Sequence, residues 1–400
     1  MDTAATITGL RVSDAIALPS DDAAIVAHAR REERYAVHVT SDAATASERL
    51  HALVGDATTV AVVADETVDA LYGADLKREL RNHGVDVIAH TIASGEASKS
   101  LDAAVELWHW LASTPLGRRD RLLTFGGGVI ADLGGWVASV YMRGIPYANL
   151  PTTLLAMVDG ALGGKVAVNH PTAKNLLGAF QQPAGVLCDL RYLESLDARQ
   201  LAAGLAECIK KAVIASPAYF DQIERDAPAI LAGDPTALHR LVRAAAAIKT
   251  ELIARDPYEL DLRRPLNFGH TVGHPLETVT GYAPLLHGEA VAFGMVVETR
   301  IAARRGWLDP DLPRRLTTLL DRCRLPTHAA QLPTTPSADA LIDAMAKVRM
   351  IRAGSLRWVL PLALGETVIA DDVTEQEVRE ALADCGVEDL AHHARLTYSD

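Results

Sequence analysis

The chain has 400 residues, 49% hydrophobic and 22% charged, and 39 basic against 51 acidic side chains give it a net charge of −12. That length exceeds one comfortable core and points to two domains of an ordinary globular protein. The acidic balance and the lack of a basic stripe argue against nucleic acid or an anionic membrane as partners, and no apolar run approaches the ~18 residues that span a bilayer.

The opening MDTAATITGLRVSDAIALPSDD has no basic segment leading into an apolar core, so it reads as a loose extension rather than a signal peptide. RYAVHVTSD (34–42) suggests an outer strand. Two periodicities then alternate. TTVAVVAD reads as a buried strand, ETVDALYGADLKRELRNHG as an amphipathic helix and VDVIAHTI as a strand. SKSLDAAVELWHWLAST is a helix opened by Ser98 or Ser100, DRLLTFGGG a strand entering a glycine turn, VIADLGGWVASVYM a helix, and IPYANLP a strand. Strand–helix alternation predicts a parallel, doubly wound, Rossmann-like sheet.

After about residue 195 helical patterns dominate: DARQLAAGLAECIKKAVI, DPTALHRLVRAAAAIKTELIARD, GEAVAFGMVVETRIAARRG, DPDLPRRLTTLLDRCR and TEQEVREALADCG, with a late hairpin in 354–370. The expected plan is an α/β domain over 58–195, an extension with an outer strand over 1–57, and a mainly helical domain over 196–400. Ligands belong in the cleft between the domains. Four scattered cysteines without a C-x-x-C pair suggest a reducing cytoplasm.

Gly126, Gly127 and Gly128 stand where a strand ends and a helix begins, where backbone can approach a pyrophosphate. The spacing is not G-x-G-x-x-G, and a tight turn alone would also explain it. In SGEASKS, Glu96 could accept from ribose hydroxyls and Lys99 could meet a phosphate, although a capped helix start explains the segment too. In LPTTLLAMVDGALGGKVAVNHPTAKNLLGAF, Asp159 and Lys165 interrupt an interior-looking run, as a buried ion pair or as working groups. Lys165, Lys174 and Asn175, joined by Arg143 of YMRG, could grip a phosphate.

Glu207 and Lys210 share one helical face in GLAECIKKAV, as a surface salt bridge or aimed into a site. If LNFGHTVGHPLETV is helical, His270 and His274 lie at i and i+4, and His287 arrives at the start of the next helix. Three apolar-flanked imidazoles, with Glu207 as an oxygen donor, suit a divalent ion such as Zn²⁺, Co²⁺ or Mn²⁺. Spacing leaves open whether both His270 and His274 ligate or one moves protons.

Together GGGVIADLGG, MRGIPYANLPTTLLAMVDGALGGK, KNLLGAF, GLAECIK and NFGHTVGH…HGEAV resemble the dehydroquinate synthase-like sugar phosphate cyclases, over about residues 58–385. The resemblance implies the dehydroquinate synthase-like fold, NAD and one divalent metal, zinc or cobalt, in one site, and a homodimer. It implies Glu207, His270 and His287 as metal ligands, with His274 contacting substrate phosphate and assisting proton transfer. Lys165, Asn175, Asn267 and Arg143 would hold phosphate, while Asp159, Lys174, Lys210 and Lys249 would position hydroxyls. NAD would meet Asp65, Glu96, Lys99, Gly127, Gly128, Asp132, Thr152 and Thr153.

The implied reaction oxidises a ring carbon, eliminates phosphate, returns the hydride and closes a carbocycle by intramolecular aldol addition. Arg263, which matches the arginine that grips a substrate carboxylate, and Lys249 favour 3-dehydroquinate synthase. Pro257-Tyr258, Pro275, and Arg349 with Met350 in place of a lysine pair depart from that enzyme. These departures favour a relative that uses sedoheptulose 7-phosphate, of 2-epi-valiolone type. The intact GGK and GHTVGH speak against the 2-epi-5-epi-valiolone branch, and the lysine cluster speaks against a metal- and NAD-dependent polyol dehydrogenase.

Overall fold

Six strands form one parallel sheet. β1 (Ala36–Thr40), β2 (Thr59–Asp65), β3 (Asp86–Ile92), β4 (Arg121–Gly126), β5 (Tyr147–Pro151) and β8 (Gly185–Asp189) lie in the order β1-β8-β5-β4-β2-β3. The computed structural model describes residues 32–387 except 172, 260–261, 283 and 352–355, and backbone only for 348–351. Met1–Arg34 and Tyr35–Asp400 are separate units. The expected extension over the first ~30 residues lies outside the described residues.

β2 is a near-continuous apolar run because both faces of the sheet are covered. Val60, Val62 and Ala64 meet α1 (Ala43–Val54) and, beyond the short α2 (Glu66–Val68), α3 (Ala74–Asn82). Ala61 and Val63 face α4 (Leu101–Ala112) and α5 (Gly128–Val140). β3 continues from β2 on one side and β4 on the other, so the chain order reverses between β2 and β4. A crevice at their carboxyl ends is where such sheets bind ligands.

The expected single helix over 66–84 is instead broken by a π turn, Asp69–Gly73. A Cβ at Gly73 would collide with the Asp69 side chain, which accepts from Lys77 Nζ at 2.9 Å. Ser100, not Ser98, caps α4.

The 150–180 segment turns through a π turn, Ala156–Gly160, into an antiparallel hairpin, β6 (Lys165–His170) and β7 (Ala173–Phe180). This hairpin, β8 and two of the helices below were not anticipated, because their apolar runs are short or lack a clean period.

The helical half comprises α6 (Ala198–Ala215), α7 (Pro217–Leu231), α8 (Pro235–Arg255), α9 (His270–Val279), α10 (His287–Arg304), α11 (Leu312–Arg322), α12 (Ala338–Ile351) and α13 (Glu375–Asp384). The late hairpin is β9 (Trp358–Ala363) with β10 (Glu366–Ala370). α7 and α12, like α1 in the first half, correspond to no expected helix. α6 runs through the middle and is buried on nearly every face, so its charged side chains must find partners inside. The side chains of Arg349 and Met350 fall outside the described set. Among the described residues no helix is long and apolar enough to cross a membrane.

Candidate active site

The glycine turn sits at the sheet's reversal point. A Cβ at Gly126 would come within 2.8 Å of Ile130 and 3.1 Å of Asp65 Oδ2, and one at Gly127 within 3.2 Å of Thr153. Thr152 N–H returns to Gly126 O at 2.9 Å. Asp65, Thr152 and Thr153 thus gather at this turn. Gly127 stands at the N-cap of α5 and supplies no side-chain cap, and space beside Gly128 is open. Uncapped first-turn N–H groups with glycine clearance suit a pyrophosphate, so these residues fit a dinucleotide.

Lys99 is buried against Asp132 and donates to Asn175 Oδ1 at 2.5 Å. Burial raises the Asp132 carboxyl, with Lys99 opposing the shift. Asn175 has φ +56°, and its N–H meets Asn169 Oδ1 at 3.0 Å. Glu96 accepts from Asn169 at 2.8 Å and pairs with Lys174 at 3.5 Å. Lys174 also donates to Glu277 at 3.1 Å, and Glu277 accepts from His287 Nδ1 at 3.1 Å. A continuous polar chain therefore runs from the hairpin β6–β7 to α10.

Glu207 occupies the interior, 0% exposed. Its Oε2 meets Lys210 at 2.5 Å and Lys211 at 3.1 Å. Its Oε1 is buried without a hydrogen-bond partner, 3.6 Å from His270 Nε2 and 3.8 Å from His287 Nε2. Phe268 O can only accept, so His270 Nδ1, 3.1 Å away, carries the proton. The Glu277 carboxylate sets His287 in the same way. The His270 Nε2 lone pair then faces an anionic oxygen with no donor between them. At His287 burial is outweighed by the Glu277 and Glu207 carboxylates, which raise the ring above its ordinary value, so there a metal ion takes the place of a proton. A cation satisfies both rings and the Glu207 oxygen, and tetrahedral ligands at ~2.1 Å lie about 3.4 Å apart.

Burial, with nearby Lys210, holds His270 well below its ordinary range, which keeps the ring a neutral donor to metal. The three imidazoles also bring nitrogens within 4.8 Å of one another, so an all-histidine set competes with the Glu207 set. Glu207 is the better third ligand because its Oε1 is orphaned, whereas His274 is exposed. The α9 helix does place His270 and His274 edge to face, with ring centres 4.9 Å apart.

Asp159 pairs with Lys211 at 2.9 Å and Lys249 at 3.0 Å, and Lys249 donates to Asp159 O at 2.6 Å. The lysines hold Asp159 well below the carboxylate range despite burial. Burial, with Lys211 contributing, brings Lys249 down to about 8. A buried Asp159–Lys165 pair is not found. Lys165 begins β6 with its side chain 53% exposed and pairs with Glu259. Asn267 also bonds Glu259. Arg263 is 3% exposed; its Nε and Nη2 make no hydrogen bond, and Nη2 lies 3.8 Å from the Glu259 carboxylate. Tyr258 packs edge-on against Phe180. Arg143 lies exposed at φ +67°, and no described contact ties it to the cluster.

Lys211, Glu259, Glu277 and Glu298 escaped the sequence reading. The signal for Lys211 was present, since it stands i+4 from Glu207. The others act from across the fold. Gly288 lets α10 touch α6, because a Cβ there would collide with Ala203 O. Gly288→Ala is expected to cost about 1–3 kcal/mol or more and to displace His287, read as a lower Tm together with weaker metal binding.

Residues 89–203 match the family 3-dehydroquinate synthase N-terminal, and residues 204–348 match 3-dehydroquinate synthase C-terminal. A 2-epi-valiolone synthase of Actinosynnema mirum is 51% identical over 374 residues, 94% of this chain and 98% of its own length. A 3-dehydroquinate synthase of Symbiobacterium thermophilum is 41% identical over 356 residues, covering 88% and 98%. The solved structure of ValA (2-epi-5-epi-valiolone synthase) from Streptomyces hygroscopicus subsp. jinggangensis 5008, with NAD+ and Zn2+ bound, superposes with TM-score 0.82 at 31% identity. That superposition covers 90% of this chain and 99% of ValA. With both halves of the family matched across sheet and helices, the chain belongs to the dehydroquinate synthase-like sugar phosphate cyclases.

Proposed function

We propose that this protein is a phosphate-eliminating carbon–oxygen lyase that closes sedoheptulose 7-phosphate into a valiolone-type cyclitol, as a 2-epi-valiolone synthase does. The observation that carries the reading is the 51% identity to the Actinosynnema mirum enzyme across 94% of this chain. Residues 58–195 would form the NAD-binding domain and 196–400 the metal and substrate domain, with 1–57 as an extension that adds the outer strand. A homodimer in the cytoplasm completes the reading, and four buried, unpaired cysteines support a reducing compartment.

When bound, NAD accepts and returns a hydride at one ring carbon, and a divalent ion polarises the oxygen there. Glu207, His270 and His287 would hold the ion, and the turn at Gly127 and Gly128 with Asp65, Glu96, Lys99, Asp132, Thr152 and Thr153 would hold the dinucleotide. Lys249 Nζ, with its affinity for protons lowered, takes and returns a proton beside Asp159. Lys210 and Lys211 balance the carboxylates of Glu207 and Asp159, and once Lys249 has taken its proton the pocket carries one positive charge in excess for enolate and phosphate. Lys165, Lys174, Asn175, Asn267 and Arg143 would grip the phosphate, Lys165 and Asn267 after exchanging Glu259 for it. His274, at the exposed end of the imidazole group, would assist the leaving group.

Purified enzyme with metal should release one inorganic phosphate per sedoheptulose 7-phosphate without net NADH accumulation. NMR should identify a carbocyclic product. Turnover only of the carboxylate-bearing dehydroquinate precursor would overturn the substrate and favour 3-dehydroquinate synthase, for which buried Arg263 would be the anchor. Steady NADH formation from a polyol would instead indicate a dehydrogenase.

A further inference from the structure

We propose that Glu298 is a positioning residue for the metal site, fastening the helix that carries His270 to the helix that carries His287. Both histidines open their helices, α9 and α10, and a helix start is where backbone N–H groups lack internal partners. Gly269, which precedes His270, is in the left-handed region at φ +81° and supplies no side-chain cap. The cap comes from α10 instead.

Glu298 is fully buried, three turns along from His287. Its Oε2 accepts from Gly269 N–H at 2.7 Å and its Oε1 from Thr271 N–H at 3.1 Å, one residue to either side of His270. Val272 N–H adds a third bond. The backbones approach closely enough that a Cβ on Gly269 would lie 2.6 Å from Val291 O, and one on Gly294 would collide with Gly269 O. The two ligand-bearing helix starts thus share one carboxyl group that touches neither imidazole. Burial pushes that carboxyl up to about 8, against the opposing pull of its backbone donors.

The inference rests on the metal-site reading above, and its test separates the two. Metal-free protein is titrated with Co²⁺, following the visible absorption of the bound ion, alongside thermal unfolding. Glu298→Ala leaves the N–H groups around His270 unmet, and a loss of about 10–100-fold in Co²⁺ affinity is expected, the usual scale for groups that orient a ligand. Glu298→Gln, which keeps one carbonyl oxygen, should fall between wild type and Ala. A folded Glu298→Ala protein with wild-type Co²⁺ affinity and spectrum overturns the proposal. Should that variant not fold, Glu298→Gln decides alone, and unchanged affinity sinks the idea. His270→Ala and His287→Ala run in parallel, and wild-type Co²⁺ binding in both would overturn the metal-site reading itself.

Discussion

His287→Ala is expected to abolish stoichiometric metal binding, whereas His274→Ala should keep one ion per chain and lower kcat by about 10²–10⁴-fold, the range for a lost acid–base group. The reason is geometric. His287 Nε2 lies 3.8 Å from the orphaned Glu207 Oε1, and its Nδ1 is fixed by Glu277. His274 is exposed at the rim. Metal analysis after dialysis, paired with steady-state kinetics, measures both. The reverse pattern, with metal lost on changing His274 and kept on changing His287, would replace His287 by His274 in the ligand set, and loss of metal in both variants would admit the all-histidine set.

Lys249→Met should also cost about 10²–10⁴-fold in kcat with little change in metal content. Lys249 bonds Asp159 and lies apart from the metal ligands, so its loss is read at the proton-transfer end of the cluster. In the wild type, kcat is expected to rise as pH passes through about 8, where Nζ loses its proton, and this limb should vanish in the variant.

The sign for stability follows from the same shift. Below about 8 both folded and unfolded chains hold the proton, and the cost of burying the ammonium stands in full. Between 8 and the ordinary lysine value the unfolded chain binds the extra proton, so stability rises with pH. The unfolding free energy of wild type relative to Lys249→Met should therefore grow across that window. A flat difference would show that Lys249 is not depressed.

The contrast between Lys165 and Lys211 marks how far local reading reaches. Lys165 looked interior because its flanks are apolar, yet β6 turns its side chain 53% outward toward Glu259. Lys211 drew no attention beside Lys210, yet it bridges Glu207 and Asp159 at zero exposure. An isolated stretch reports its own period and cannot report which distant helix covers it.

What the sequence determined by itself was whatever local pattern encodes: the parallel alternation from β2 to β5, the glycine turn, the i,i+4 imidazoles on α9, and a family signature that names one site. Tertiary structure alone decided which charges meet. Glu277 and Glu298 belong to segments that read as ordinary helix, and they set His287 and His270 only because α9, α10 and α6 approach at Gly269, Gly288 and Gly294. Hydrogen-bond partners on different helices, ten residues apart for Glu277 and His287 and 29 for Glu298 and Gly269, depend on helix packing, and packing is a property of the whole fold rather than of any window of sequence.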